Sequence, residues 1–153
     1  HGSTVATNAV LEGKGAQCGV ICTRGTRYTL WRGEGRRQNI FDFTAPPRAP
    51  LVRPYRCIEL DERIDRHGRV IRPLDDDDVL RAIATLRAQG CEAVAVCLLW
   101  SVRNPCHERR VGDLLHAHWP GSTMRWLRNG HVGAFLFHRS DFLKAIRDAF
   151  SRL

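Results

Sequence analysis

The sequence predicts an α/β fold with a mostly parallel sheet and a β-hairpin excursion, and three patterns lead to that reading. Two short runs, Gln17–Thr23 and Glu92–Leu99, are almost uniformly apolar, as strands buried on both faces are. Stretches of helical composition or spacing alternate with those runs, which is how parallel strands are connected. Between them, apolar and polar residues alternate over Arg56–Asp65, Arg66-His67-Gly68 turns the chain, and Arg69–Arg72 is extended again, which together signal a hairpin.

Each element follows from its local residues. Ala6–Lys14 has helical composition, with Ser3 or Thr4 able to cap it and Gly15 closing it. Gln17–Thr23 is the first buried strand and ends at Arg24-Gly25. Thr26–Arg32 is predicted as a helical turn. Gly33 to Pro54, with Pro46-Pro47, Pro50 and Pro54, reads as an irregular stretch. A loop of about twenty residues inside a compact domain is usually functional or reaches toward another subunit or domain. After the hairpin, Val79, Leu80, Ile83 and Leu86 recur at helical spacing and predict a helix over Asp76–Gln89, with Gly90 beyond its end. The acidic run Asp75–Asp78 is accounted for by capping and by attraction to the helix N-terminus, without a metal. Glu92–Leu99 is the second buried strand, with Trp100-Ser101 at its carboxyl end, where open α/β sheets place ligands. Pro105–His118 is the next helix, with Val111, Leu114 and Leu115 inward, and Thr123–Leu127 is predicted as a third strand.

Composition narrows the function classes. At 153 residues and 43% hydrophobic, the chain is long enough for one globular core. No apolar stretch approaches the roughly 18 residues of a membrane span, so no membrane association is expected. The formal charge of +8 invites a nucleic-acid reading, but 22 of the 24 cations are arginine, a bias that codon composition also produces. The charge is also blocky: Arg24–Arg56 holds eight arginines against Glu34 and Asp42, and Glu59–Asp78 holds eight acids against four arginines. Nucleic-acid domains more often interleave basic residues with aromatics along one element, so no nucleic-acid partner is expected.

The residues suited to chemistry are few. The six cysteines include no Cys-x-x-Cys pair to seed a zinc site. Cys18, Cys22 and Cys97 lie in apolar runs and are expected to be small buried hydrophobes in a reducing compartment. His107 and His118 are eleven residues apart, about three helical turns, too far to share an ion, and His116 points away from His118. These histidines are read as solvated helix residues, and no metal site is assigned. His1-Gly2-Ser3-Thr4 with Ala6-Thr7-Asn8 sets a glycine, three hydroxyls and an amide just ahead of a helix, which suits a phosphate or carboxylate and equally suits ordinary capping. Neither GxxxxGK[ST] nor GxGxxG occurs.

That same segment, His1 to Gly15, resembles the H-G-T-T-x-A-T-N-A-x-x-x-x-x-G segment of A-type subunits in the hydantoinase/5-oxoprolinase family. Further matches come in order along the chain. They are Thr23-Arg24-Gly25, Arg37-Gln38-Asn39 ahead of Phe41-Asp42, the prolines before Tyr55, Glu62-Arg63-Ile64 with Gly68, Pro73-Leu74, Ala93–Leu99, and Asn104-Pro105-x-His107-Glu108-Arg109. The likeness spans residues 1–128 as a partial N-terminal domain; residues 129–153 depart from it and read as a divergent or frameshifted tail. The family's D-x-G-G-T-x-T-D phosphate loop would precede His1, and Ser3 stands where the family has threonine.

The resemblance implies a partial actin-like (ribonuclease H-like) ATPase domain, using ATP and Mg²⁺ to open a cyclic amide such as hydantoin or 5-oxoproline by phosphoryl activation. Some relatives instead carboxylate acetone or acetophenone. It further implies a cytoplasmic hetero-oligomer with a B-type subunit. Gly2, Ser3, Thr4, Thr7 and Asn8 would line the cleft by the phosphates or substrate. Arg37, Gln38 and Asn39 would bring a cation and amides to the substrate or phosphoryl group, and His1 would serve proton transfer. Asn104 and His107 are expected to cap and start a helix, and Arg24 to form a surface ion pair. Without the phosphate loop, these residues alone are not expected to hydrolyse ATP. A ketone carboxylase subunit and a non-catalytic interaction domain, binding a partner through the proline-rich excursion, are the alternative readings.

Overall fold

A computed structural model describes residues 16–29, 52–124 and 126. Strand β1 (Cys18–Thr23) is the centre of an all-parallel sheet, flanked by β2 (Cys57–Leu60) on one side and β5 (Ala93–Cys97) on the other. Between β2 and β5 the chain forms a small antiparallel hairpin, β3 (Arg63–Ile64) with β4 (Val70–Arg72), and then helix α1 (Asp76–Ala88). Helix α2 (Cys106–His118) comes after β5. The uniform apolarity of β1 is what a central strand requires: Gly19 is tightly packed and every residue from Val20 to Thr23 is buried. In register, Val20 lies opposite Cys57 and Ala95, and Cys22 opposite Glu59 and Cys97.

The helices cover one face of this sheet. Helix α1 starts at Asp75, whose side chain accepts from the Asp77 N–H at 3.0 Å, and Asp76–Asp78 complement its N-terminus. It ends before Gly90, which takes the left-handed φ of +68°. Val79, Ala82, Ile83 and Leu86 form its buried stripe and pack, with Val111 and Leu114 of α2, over Ile21, Leu60 and Leu98. Burying a side chain such as Leu86 stabilises the fold by about 1.5–3 kcal/mol. Gly19 lets α1 approach: a Cβ there would sit 2.7 Å from Leu86 Cδ2. On the opposite face Val20, Cys22 and Cys57 form a second, smaller cluster with Val52.

Several expectations change. Arg56–Asp65 is not one hairpin arm. Arg56 ends a 3₁₀ turn, Pro54–Arg56, Cys57–Leu60 joins the main sheet beside β1, and only Arg63–Ile64 pairs with β4. Alternation identifies a strand but not its partner, and the break at Asp61 divides the run between two sheets. The predicted turn at Arg66-His67-Gly68 is present: Asp65 Oδ1 accepts from the N–H of His67 and Arg69 at 2.8 and 2.9 Å, and Gly68 has a φ of +82°. No strand forms at residues 123, 124 and 126. Of the three cysteines expected to be buried, Cys22 is, Cys18 is half-buried and Cys97 is exposed; the second buried strand is not borne out either, because β5 has a single neighbour among the described strands and turns alternate residues outward. The predicted helix Ala6–Lys14, most of Gly33–Pro54, and residues 129–153 lie outside the described residues. Among the described residues, no helix is long and apolar enough to cross a membrane.

Candidate functional site

In an all-parallel sheet every strand ends on the same side, so the residues just past β1, β2 and β5 meet at one edge. Thr23 closes β1, Glu62 lies just past β2, and Leu98-Leu99-Trp100 lies just past β5. Thr23 is fully buried and joins both neighbours, its Oγ1 accepting from the Leu99 N–H at 2.9 Å and donating to Glu62 Oε1. Glu62 is 2% exposed, and its other oxygen meets His107 Nδ1 at 2.7 Å. His107, in the first turn of α2, is itself buried. A carboxylate that far from water is tolerable only when both oxygens are matched, as they are here.

The surroundings hold the three strand ends in register. Glu59 accepts from the Gly25 and Arg27 N–H groups at 2.8 and 3.2 Å, folding the chain after β1 over β2. Arg24 pairs with Asp61 at 3.1 Å, as an exposed ion pair, and Arg72 of the hairpin pairs with the same carboxylate. Asn104 bonds the Gly68 carbonyl at 2.8 Å through its amide nitrogen and accepts from the Cys106 N–H at 3.1 Å, so it both starts α2 and ties it to the hairpin turn. Glu108 accepts from the Leu98 N–H at 3.3 Å. Burial, first, and the nearby Glu62 push the Glu108 carboxyl up, against the lowering pull of its bonds to Leu98 and Ser101. Between these anchors Trp100 takes a left-handed φ of 63°, uncommon for a bulky side chain, and is 41% exposed.

Chemically, the edge offers a buried carboxylate–imidazole pair, an arrangement able to hold a proton between fixed partners. Asn104 starts a helix as expected, but His107 is not a solvated helix residue. It occupies the apolar stripe of α2, four and seven residues before Val111 and Leu114, all three buried. That spacing, with Glu62 two residues after Leu60 and two before Ile64, was the available signal for both. His1, Gly2, Ser3, Thr4, Thr7, Asn8, Arg37, Gln38 and Asn39 all lie outside the described residues.

The described residues do not fit ATP or Mg²⁺. Arg24, Arg27 and Arg72 pair with Asp61 and Glu59, and of the backbone donors in the turn after β1, Gly25 and Arg27 are taken by Glu59 and Arg24 and Thr26 by the Leu60 and Thr23 carbonyls. Among the described residues, no three His, Cys, Asp or Glu side chains group to hold a metal.

These features define a parallel α/β unit with a polar, partly buried carboxyl edge. The family model of the hydantoinase/oxoprolinase N-terminal region matches residues 1–119, and the chain belongs to that family. A second model, alpha/beta hydrolase domain containing 18, matches residues 107–152 and overlaps the first at 107–119. The chain is 36% identical over 122 residues to the caprolactamase subunit alpha of Pseudomonas jessenii, covering 78% of this chain and 18% of that one. It is 34% identical over 125 residues to the acetophenone carboxylase gamma subunit of Aromatoleum aromaticum, covering 75% and 17%. The chain thus spans less than a fifth of the length of either relative. Among solved structures, the ATP-dependent caprolactamase of Pseudomonas jessenii superposes with a TM-score of 0.69 at 27% identity, over 93% of this chain and 24% of that one. A nucleotide-free acetone carboxylase superposes with a TM-score of 0.63 at 31% identity, over 72% and 17%.

Proposed function

We propose that this chain forms part of the N-terminal region of an ATP-dependent hydrolase that opens cyclic amides of the hydantoin, 5-oxoproline or lactam type. The observation that carries this is the likeness to caprolactamase, in sequence at 36% identity and in structure over 93% of the chain. The convergence of Thr23-Arg24-Gly25, Glu62-Arg63-Ile64 and Asn104 to Arg109 on the carboxyl edge of the sheet supports it, since that edge is where such sheets place ligands. The complete domain is of the actin-like kind and uses ATP and Mg²⁺, with Gly2, Ser3, Thr4, Thr7 and Asn8 toward the phosphates or substrate. Arg37, Gln38 and Asn39 serve the substrate side, and His1 proton transfer. It works in a hetero-oligomer with a B-type subunit, a reading supported by relatives named as subunits. The free thiols support a cytoplasmic setting.

A ketone carboxylase is the second reading, favoured by the 34% identity to the acetophenone carboxylase gamma subunit. The test expresses the complete reading frame with its B-type partner and measures phosphate release from ATP. Hydantoin, 5-oxoproline and caprolactam are offered in turn, then acetone or acetophenone with bicarbonate. Stimulation by a cyclic amide is expected. Stimulation only by a ketone with bicarbonate selects the carboxylase, and stimulation by none refutes both.

A further inference from the structure

Among the described residues, Trp100 is the one residue other than glycine with a left-handed backbone, at a φ of 63°. A bulky side chain is strained there, and glycine is the residue such a position ordinarily carries. The surroundings hold the strain in place from both sides. Leu98 and Leu99 are fixed through their N–H groups by Glu108 and Thr23, and the Trp100 carbonyl accepts from the Arg103 and Asn104 N–H groups at 2.8 and 3.2 Å. Core packing does not explain it, because the indole belongs to neither hydrophobic cluster and stays partly in solvent. Backbone strain that the core does not require is characteristic of ligand-facing positions. The location agrees, since Trp100 lies just past β5 on the carboxyl edge of the parallel sheet. Leu99 and Val102 beside it in the chain are exposed apolar residues too, and Arg24, which follows β1 at the same edge, is already paired with Asp61. The surface offered is apolar with an aromatic face, which suits an uncharged ring.

We propose that Trp100 is a substrate-binding residue whose indole packs against the ring of an uncharged cyclic amide such as caprolactam, favouring apolar rings over charged ones. The proposal rests on the reading of the chain as part of an ATP-dependent cyclic amide hydrolase. An indole presents a broad apolar face with few rotatable bonds, and a lactam ring is a row of methylenes closed by one polar amide. Stacked on the indole, the ring buries its methylenes and leaves the amide open to activation. The backbone held on both sides fixes where the indole projects from, which lowers the ordering that binding requires. The ring of 5-oxoproline carries a carboxylate, which loses hydration against such a surface. Trp100 itself makes and breaks no bond.

The test uses the complete enzyme assembled with its partner. Trp100→Gly relieves the backbone and removes the indole. It is expected to raise KM for caprolactam at least about tenfold, with kcat and the KM for ATP each changed less than about threefold. The rise for 5-oxoproline is expected to be smaller, and Trp100→Phe, which keeps an aromatic face, is expected to hold KM within about threefold of the parent. An unchanged KM for caprolactam in Trp100→Gly overturns the proposal, as does a rise confined to ATP, which puts the nucleotide against the indole. Equal rises for caprolactam and 5-oxoproline, or a Trp100→Phe enzyme as impaired as Trp100→Gly, overturn it too. If Trp100→Gly does not assemble, the unaltered enzyme decides: oxidation of Trp100 by hydroxyl radicals, read by peptide mass spectrometry, is expected to be slowed by saturating caprolactam. Oxidation that caprolactam does not slow, or a Trp100 already protected before the amide is added, overturns the role. An unaltered enzyme that turns over no cyclic amide refutes the functional reading itself. Turnover of 5-oxoproline without caprolactam, or turnover of caprolactam by an indifferent Trp100→Gly enzyme, refutes only the role of Trp100.

Discussion

Thr23→Val tests the tie at the strand ends because it keeps the shape of the side chain and deletes only the hydroxyl. In the structure that hydroxyl accepts from the Leu99 N–H at 2.9 Å and donates to one oxygen of the buried Glu62 carboxylate. Valine leaves both without that partner. Leu99 is partly exposed, so water recovers some of its loss and about 1 kcal/mol remains; the Glu62 oxygen is sealed, and an orphaned buried acceptor costs about 1–3 kcal/mol. The sum, about 2–4 kcal/mol, is a large share of a domain stability of about 5–15 kcal/mol. Thr23→Ser keeps the hydroxyl and loses one methyl, which costs about 1 kcal/mol. Urea unfolding followed by circular dichroism measures both, compared at a common slope. A valine variant within about 0.5 kcal/mol of the parent, or a serine variant as damaged as the valine one, refutes the assignment of Thr23 as a hydrogen-bonded hub.

Three more outcomes are expected. Leu86→Ala removes a fully buried side chain and costs about 2–5 kcal/mol. Gly19→Ala puts a Cβ 2.7 Å from Leu86 Cδ2 and costs about 1–3 kcal/mol; the double variant is less damaged than the sum by at least about 0.5 kcal/mol, and strict additivity in urea unfolding refutes the contact. The Glu108 carboxyl is pushed above the ordinary value of 4.5, so above that pH the native state holds a proton the unfolded chain has lost. Stability therefore falls as pH rises from 4.5 through the raised native value, and Glu108→Gln abolishes that fall; equal pH slopes for both proteins refute it. Cys106 is exposed, whereas Cys22, Cys57 and Cys91 are buried with thiols pushed up by burial. Maleimide at pH 7 should therefore modify Cys106 at least about tenfold faster, as read by peptide mass spectrometry, and even labelling of all four refutes it.

Local pattern revealed the pieces of the fold, and long-range pairing revealed their arrangement. The runs at Gln17–Thr23 and Glu92–Leu99 do hold β1 and β5, but only β1 is buried on both faces; β5 alternates exposed and half-buried residues, so its uniform apolarity identified a strand without identifying its burial. Both helices were legible from their spacing and, for α1, from its acidic first turn. The pairing of Cys57–Leu60 was not legible, since period-two alternation is the same in a hairpin arm and in a parallel edge strand. Nor was the pairing of Glu62 with His107. Each is an ionisable residue at an apolar position, and a single sequence does not say which distant residue will match it.

The parallel topology explains why those two belong together. Thr23-Arg24-Gly25, Glu62-Arg63-Ile64 and Asn104 to Arg109 are separated by tens of residues in the chain. Each, however, comes at or after the end of a strand of the same parallel sheet, and parallel strands all deliver their next residue to one edge. Because β1 is central, the residue at its end can bond to residues just past both neighbouring strands, and Thr23 does so: to Leu99 after β5 and to Glu62 after β2. An antiparallel arrangement of the same strands would send alternate ends to opposite edges and leave Glu62 without Thr23. The hydrogen-bonded edge is thus a consequence of strand order. Its polar residues are tolerated in the interior only because that order matches each one with a partner.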